Sequence, residues 1–159
     1  MSTQESPAGA GLVTDVADLA SHVGAELGHT EWREMTQERV NQFADVTDDH
    51  NFIHVDPERA KETVFGGTIA HGFLTLSLLP HWTFGLMHVE DASAAINYGL
   101  NKVRFPAPVP VGSRLRASYR IVDVSEVAGG VQVTTAATVE REGSDKPVCV
   151  AETVSRYYR

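Results

Sequence analysis

Residues 69–82 form an apolar stretch that constrains the fold more than any other part of the chain. Within residues 73–79 only Thr75 and Ser77 interrupt the large apolar side chains, which are Phe73, Leu74, Leu76, Leu78 and Leu79. A helix that is apolar all round packs inside a core, and this one is too short to cross a bilayer. Pro80 is expected to end or kink it. We therefore predict a buried helix at the centre of the fold.

From residue 95 onward the period of the apolar pattern changes from helical to two. Apolar and polar side chains alternate there, as expected for half-buried antiparallel strands. The predicted strands cover residues 96–105, 114–121, 131–140 and 148–158. Turn residues at 128–130 and 142–145 are typical of hairpins, and a loss of alternation near Asn101 indicates a bulge. The pattern predicts an α+β fold in which an antiparallel sheet curls around the apolar helix.

The first third of the chain is predicted to hold a tail, two helices and a short strand. Residues 1–14 begin with small, polar and Gly/Pro-containing sequence, so they are expected to form a flexible tail without a function. Residues 15–159 are long enough for one domain with its own core. Apolar residues at helical spacing predict a helix over residues 15–27. A short strand over residues 29–35 follows, and Thr36 is predicted to cap a second helix.

Charge and cysteine content limit the partners and the compartment. Lys and Arg number 13 and Asp and Glu 21, so the formal net charge is −8. This acidic balance argues against nucleic acid or an anionic membrane as a partner. The single cysteine, Cys149, cannot form an internal disulfide, which favours a reducing compartment such as the cytoplasm. The sequence has neither a secretory signal at residues 1–14 nor a run of transmembrane length, so we expect a soluble protein.

Asp49 and His54 are the strongest candidates for chemistry. They lie five positions apart, a separation that would place them off a common helix face, but Asn51 and the Asp-Pro pair after it are typical of a loop. In a loop both side chains can turn toward one point. A carboxylate and an imidazole that converge can hold a water and divide the acid and base roles, because imidazole titrates near neutral pH. The pattern predicts a proton-transfer site, followed by a helix start at His71 and Gly72.

Two stretches of the chain carry a family resemblance. Residues 43–79, FADVTDDHNFIHVDPERAKETVFGGTIAHGFLTLSLL, are similar to the signature of the MaoC-like dehydratases, also called (R)-specific enoyl-CoA hydratases. Residues 95–117, AINYGLNKVRFPAPVPVGSRLRA, are similar to the mycobacterial-type members and their nodulation-protein-N-like relatives. The resemblance extends over roughly residues 15–158. The chain departs from the family pattern at Asp48, where glycine is common, and at Phe52, where proline is common.

The resemblance implies a hot-dog fold and the hydration of a trans-2-enoyl-CoA to an (R)-3-hydroxyacyl-CoA. It implies that Asp49 and His54 activate the water and that the Gly72 amide donates to the thioester oxygen. Asn51 and His71 are candidates for supporting these groups. The resemblance also implies an acyl-CoA substrate and a homodimer whose two sheets join edge to edge. The reaction requires neither a metal nor a redox cofactor.

Several alternatives remain open at the level of sequence. A hot-dog thioesterase and a non-catalytic acyl-binding or signalling protein stay open as alternatives, because fold alone does not fix function. The pairing of Asp49 with His54 favours addition of water to the double bond over thioester hydrolysis. His71 is explained more simply by packing, and a zinc site that uses His50 fits no common ligand spacing. The basic residues that are candidates for contact with CoA phosphates are Lys102, Arg104, Arg114 and Arg116. For the last two, a solvated sheet face is the simpler explanation.

Overall fold

A computed structural model describes residues 11–159 of the chain. Residues 1–10 of the predicted tail lie outside the described residues. The rest of that prediction is wrong, because Leu12–Thr14 form strand β1, which pairs in parallel with β4 (Met87–Val89). The sequence of the tail is polar only up to Gly11, and the amide of Leu12 already donates to the carbonyl of Leu86.

The main sheet has six antiparallel strands. Its strands are β2 (Glu26–His29), β3 (Arg33–Glu34), β5 (Ala94–Arg104), β6 (Arg114–Val127), β7 (Gly130–Arg141) and β8 (Cys149–Tyr158). They follow the order β2-β6-β7-β8-β5, and β3 also pairs with β6. The four strands predicted from the period-two pattern are confirmed. β5 shows register shifts on either side of residues 99–100, as the loss of alternation near Asn101 predicted.

The apolar stretch forms two short helices instead of one. The first helix, α4, covers Gly72–Ser77, and α5 covers Leu79–Phe84 with Pro80 in its first turn. Their buried side chains, Leu74, Thr75, Leu79 and Trp82, pack into the core against the inner face of the sheet. The prediction of burial on every side is wrong at Phe73, which is 71% exposed. One face of α4 is therefore left outside the core of the monomer.

The remaining helices lead the chain to the predicted site. Helix α1 covers Gln37–Thr47, and its predicted cap is confirmed because the Thr36 hydroxyl accepts a hydrogen bond from the Arg39 amide at 3.2 Å. Two single-turn helices follow, α2 (Phe52–Val55) and α3 (Pro57–Ala60). Within the described residues no helix has the length and the apolar character that a bilayer crossing requires.

The helix predicted over residues 15–27 is wrong. Only a 3-10 turn at Leu19–His22 is helical, and the chain then enters β2. The amide of Gly24 donates to the Ile121 carbonyl at 2.8 Å, and the Ile121 amide donates to Ala25. Pairing with β6 thus overrides the helical spacing of the apolar residues. The strand predicted over residues 29–35 is shorter than expected and is confined to β3 after the end of β2.

Cys149 is buried at the start of β8 and is a free thiol. Burial raises the pKa of this thiol to about 11, so it is protonated at neutral pH and packs as a small core residue. A cytoplasmic location stays a prediction.

Candidate active site

Asp49 lies at the end of helix α1, where the chain turns toward the core. The preceding residue, Asp48, ends the helix in the left-handed conformation with φ +58°. Glycine adopts this conformation without strain, which explains why glycine is common there. The Asp49 side chain is 54% exposed, and its Oδ1 accepts a hydrogen bond from the Asn51 amide at 3.4 Å. The carboxylate therefore reaches solvent at the edge of the site.

His54 lies on the single-turn helix α2, which replaces the irregular loop expected from the sequence. Asn51 caps this helix, since its side-chain oxygen accepts a hydrogen bond from the Ile53 amide at 3.3 Å. Phe52 is the first helical residue, a position that proline also favours. Asn51 thus supports the turn that carries His54, as a supporting residue should.

The tautomer of His54 follows from the one hydrogen bond that its ring makes within the described residues. Its Nδ1 lies 2.7 Å from the carbonyl oxygen of Ile69. A carbonyl only accepts, so Nδ1 carries the proton and the neutral ring presents a bare Nε2. Burial lowers the pKa of His54, the bond to Ile69 raises it, and the charges of His71 and Asp49 lower and raise it by smaller amounts. The net direction is downward, so the ring is neutral at pH 7.

His71 lies directly beneath this ring and is 2% exposed. The imidazoles of His54 and His71 stack with centroids 3.8 Å apart and planes inclined by 27°. Nε2 of His71 is 2.9 Å from the backbone carbonyl of Asp49 and 3.9 Å from its Oδ2. The ring of Phe43 packs against His71 at 4.9 Å between centroids. The fold thus brings Asp49, His54 and His71 together.

The cluster is less suited to a metal ion than its composition indicates. Asp49, His54 and His71 each place one polar side-chain atom within 4.8 Å of the others, and such a donor set often binds metals. The two rings, however, lie in nearly parallel planes, so their in-plane lone pairs do not meet at one ion. Nε2 of His71, the nitrogen that faces Asp49, donates to the Asp49 carbonyl and so has no free lone pair for an ion. His50 is not part of the cluster, because it pairs with Asp45 at 2.8 Å on the surface.

Gly72 follows His71 as the first residue of α4. An amide at this position has no intrahelical acceptor and is available to a ligand. A Cβ added to Gly72 would lie 3.0 Å from the ring of Phe105, so a side chain at this position would force that ring to shift. The absence of a side chain also leaves the amide open to the approach of a substrate.

An apolar cavity of about 310 Å³ lies one helical turn beyond Gly72. It lies between α4 and α5 on one side and β5, β7 and β8 on the other. The side chains that line it from the helices are Leu76, Leu79, Pro80, Thr83 and Phe84. Phe73 does not line this cavity. It points to the surface instead and contacts Phe105 edge to face.

Two residues that sequence reasoning missed hold the site from behind. The side-chain amide of Gln37 donates to the His54 carbonyl at 2.7 Å and accepts from the Thr68 hydroxyl at 2.6 Å. Gln37 lies in the first turn of α1, where a glutamine carries no sequence signal for this role. Phe105 was also missed, because its contact with Gly72 depends on how β5 meets α4.

The four basic residues that are candidates for contact with CoA phosphates fall into two groups. Arg114 pairs with Glu142 at 3.0 Å and Arg116 with Glu140 at 2.8 Å, as expected for a solvated sheet face. Lys102 and Arg104 are exposed near the end of β5. Of the four, only Arg104 directly precedes Phe105, whose ring packs against Gly72.

Comparison with known proteins decides the family. Residues 18–143 match the family model described as a MaoC like domain, which covers more than half of the chain. The chain belongs to the MaoC-like family.

Curated relatives of this MaoC-like chain share most of its length. The 3-hydroxyacyl-thioester dehydratase Z of Mycobacterium tuberculosis (strain ATCC 25618 / H37Rv) is 58% identical over 143 residues, covering 89% of this chain and 95% of the relative. Nodulation protein N of Rhizobium leguminosarum bv. viciae is 45% identical over 143 residues, covering 88% of this chain and 89% of the relative. The resemblance seen in the sequence is confirmed.

The solved structures that are similar to the MaoC-like chain include R-hydratase PhaJ1 from Pseudomonas aeruginosa in the unliganded form. The two agree with a TM-score of 0.74 at 23% sequence identity, over 91% of this chain and 86% of that chain. The predicted hot-dog fold, with an antiparallel sheet around a central helical segment, is therefore confirmed.

Proposed function

We propose that this MaoC-like protein is a hydro-lyase that adds water to a trans-2-enoyl-CoA and forms an (R)-3-hydroxyacyl-CoA. The observation that carries the proposal is that the fold brings the Asp49 carboxylate and the bare Nε2 of His54 together at His71, the residue directly before Gly72. The relative that is 58% identical is named a 3-hydroxyacyl-thioester dehydratase, which supports the same reaction in its reverse direction.

The electronic demands of hydration explain why these groups are needed. Water must add to C3 of the enoyl thioester while a proton is delivered to C2, and negative charge develops on the thioester oxygen. Asp49 and His54 each offer an acceptor to one hydrogen of the same water. As the bond from oxygen to C3 forms, one of the two takes the proton from water and returns it to C2 on the same face. Atoms and charge then balance without a metal or redox cofactor.

The Gly72 amide serves as the donor to the thioester oxygen. Donors placed at a developing oxyanion contribute on the order of 10²–10³ in rate. The amide is suited to this because it has no intrahelical acceptor and because glycine has no side chain of its own to cover it. The donor and the water-holding pair are on adjacent elements, so one bound thioester can reach both.

The apolar cavity is the proposed site of the acyl chain. Leu76 lies one turn after Gly72 and begins the cavity lining, which continues to Leu79 and Pro80. A chain whose carbonyl oxygen lies at Gly72 therefore points its tail into the cavity. Apolar pockets discriminate by only about 1–3 kcal/mol per methylene, so we expect several chain lengths to be accepted. Lys102 and Arg104 are the proposed contacts of the CoA phosphates.

We also propose that the protein is a homodimer that pairs through strand β5. This edge strand is 11 residues long, and it exposes Ile96, Tyr98 and Leu100. A long apolar edge is normally covered, because its free backbone groups otherwise pair with other chains. These three residues also line the acyl cavity, so a second copy on β5 would close it.

Light scattering at micromolar concentration tests the dimer. Leu100→Lys is expected to give the monomer mass, whereas Val46→Lys, at another exposed apolar position, should leave the dimer mass unchanged. A wild-type protein of monomer mass contradicts the proposal.

Crotonyl-CoA tests the reaction. We expect loss of the enoyl absorbance and, on chiral analysis, the (R)-3-hydroxy product. Formation of the (S) product contradicts the proposed geometry. Release of free CoA without a hydroxyacyl product would assign a thioesterase, and the absence of any turnover would favour an acyl-binding protein. The dehydratase name of the 58% identical relative favours the hydratase over both.

A further inference from the structure

His71 is the residue through which the other groups of the site contact one another. Its ring stacks on His54, its Nε2 donates to the Asp49 carbonyl at 2.9 Å, and its backbone places Gly72 at the start of α4. No other side chain of the described residues contacts both Asp49 and His54 in this way. A shift of this ring would therefore move the carboxylate and the imidazole relative to each other.

A histidine at position 71 costs free energy if its only role is to fill space. Because Nε2 donates to a carbonyl, neutral His71 has a bare Nδ1. This Nδ1 is buried and has no partner among the described residues. A buried polar atom without a partner costs free energy, and an apolar ring such as phenylalanine would fill the same space without that cost. The hydrogen bond that Nε2 donates to the Asp49 carbonyl explains why the residue is a histidine.

We propose that His71 is a positioning residue for the hydration reaction, fixing Asp49 through the backbone carbonyl and His54 through the stacked ring. This inference rests on the proposed function. His71 does not touch the substrate in this role, and the bond from Nε2 holds Asp49 close to the bare Nε2 of His54. No other side chain of the described residues donates a hydrogen bond to the Asp49 backbone, so this bond holds that backbone against the core, while the Asn51 amide holds the carboxylate.

Two substitutions separate the two contacts. His71→Phe keeps an aromatic ring for stacking on His54 but removes the donor to the Asp49 carbonyl. His71→Gln removes the ring but places an amide N–H at nearly the position of Nε2. The matched control is His50→Phe, since His50 is an exposed histidine beside the same loop that contacts only Asp45.

We expect His71→Phe to lower kcat at least about tenfold while KM changes little, because substrate binding does not use the ring. The midpoint of thermal unfolding should stay within roughly 5 °C of wild type. His71→Gln is expected to recover part of the lost kcat. His50→Phe should behave as wild type in each measurement.

An NMR titration of the His54 ring gives a readout that does not depend on turnover. In His71→Phe the midpoint of the His54 titration should move upward, because the interaction with His71 that lowers the pKa of His54 is gone, and it should stay unchanged in His50→Phe. If wild-type protein lacks hydratase activity, this titration still tests the positioning role alone. The proposal is overturned if His71→Phe keeps wild-type kcat with an unchanged His54 titration. It is also overturned if both the Phe and the Gln variants fail to fold, since His71 is then structural.

Discussion

The imidazole rings of His54 and His71 stack with their centroids 3.8 Å apart, although His54 lies on α2 and His71 directly precedes α4. Each ring donates one N–H to a backbone carbonyl, His54 to Ile69 and His71 to Asp49. The two bonds fix both tautomers and leave Nε2 of His54 as the acceptor at the site. The arrangement explains how a carboxylate on an exposed turn is held beside a buried imidazole.

Loss of either water-holding group should abolish most of the turnover. We expect Asp49→Asn and His54→Ala each to lower kcat by on the order of 10²–10⁴, because each removes an acceptor for the same water. The double variant should lose little more than one single variant, as residues that act as a unit do. His50→Ala is the control with near-normal kcat, and circular dichroism checks the fold. Near-normal kcat in Asp49→Asn or His54→Ala contradicts the assignment.

Gly72→Ala tests the close packing at the proposed oxyanion donor. The added methyl group would lie 3.0 Å from the Phe105 ring, so the ring must shift and the approach to the amide narrows. We expect a loss of kcat/KM on the order of 10² or more, which approaches the loss of a whole donor.

The companion variant Phe105→Leu separates sterics from chemistry. Combined with Gly72→Ala it makes room for the methyl group, so it should recover part of the loss. Equal kcat/KM in the Gly72→Ala single and double variants would show that Phe105 is not the obstacle.

Asp48→Gly should stabilise the protein without affecting catalysis. At φ +58° a residue with a Cβ is strained by roughly 1–2 kcal/mol, and relief of that strain outweighs the backbone freedom that glycine adds to the unfolded chain, about 0.5–1 kcal/mol. We expect a net increase of about 0.5 kcal/mol in the free energy of unfolding.

Asp48→Ala is the matched control, because it also removes the charge but keeps a Cβ. Urea unfolding should show it to be less stable than wild type. If the Gly and Ala variants were equally stable, the left-handed turn at residue 48 would not be strained.

The pH dependence of stability follows from His54. Burial is the main cause that lowers its pKa below the ordinary value of 6.5. Between pH 6.5 and the lower folded pKa, the unfolded chain binds more protons than the folded one. The free energy of unfolding therefore falls as the pH is lowered through this window, and the contribution of His54 is fully present above pH 6.5.

Activity should follow the same group. A protonated His54 has no bare Nε2, and the pKa of His54 is below 6.5. As the pH is lowered, we therefore expect kcat/KM to stay constant down to pH 6.5 and to decline only below it. An NMR titration of the ring gives the midpoint directly. A midpoint above 6.5 would contradict the direction of the shift.

Gln37→Leu tests the support behind the site. The substitution leaves the His54 carbonyl and the Thr68 hydroxyl without their partner, which typically costs about 1–3 kcal/mol for each buried group left unpaired. We expect lower stability and a lower kcat. Asn41→Leu on the same helix is the control, because Asn41 bonds to Gln37 and not to α2. Wild-type kcat in Gln37→Leu would show that the bond to α2 does not matter.

The parts of the fold that the sequence predicted well are those whose pattern repeats over many residues. The alternation predicted over residues 114–121 and 131–140 selects most of the buried side chains of β6 and β7, such as Leu115, Tyr119 and Val133. Thr134, on the predicted polar face, is buried as well. The predicted Thr36 cap was also confirmed, because a hydroxyl one position before a helix has a nearby backbone amide as its partner. The helix predicted over residues 15–27 was wrong for the opposite reason, since the conformation of these residues is decided by pairing with β6.

The sequence by itself determined the α+β class, the strands of the sheet, and the pairing of a carboxylate and an imidazole around residues 49–54. These features depend on local chemistry and on periodicity, and both can be read from the order of neighbouring residues. Only the tertiary structure decided that His71 stacks on His54, that Gln37 bonds to the His54 carbonyl, and that the ring of Phe105 packs tightly against Gly72. These contacts join elements that are distant in the chain, and their geometry depends on how the sheet and the helices pack, which no local pattern records.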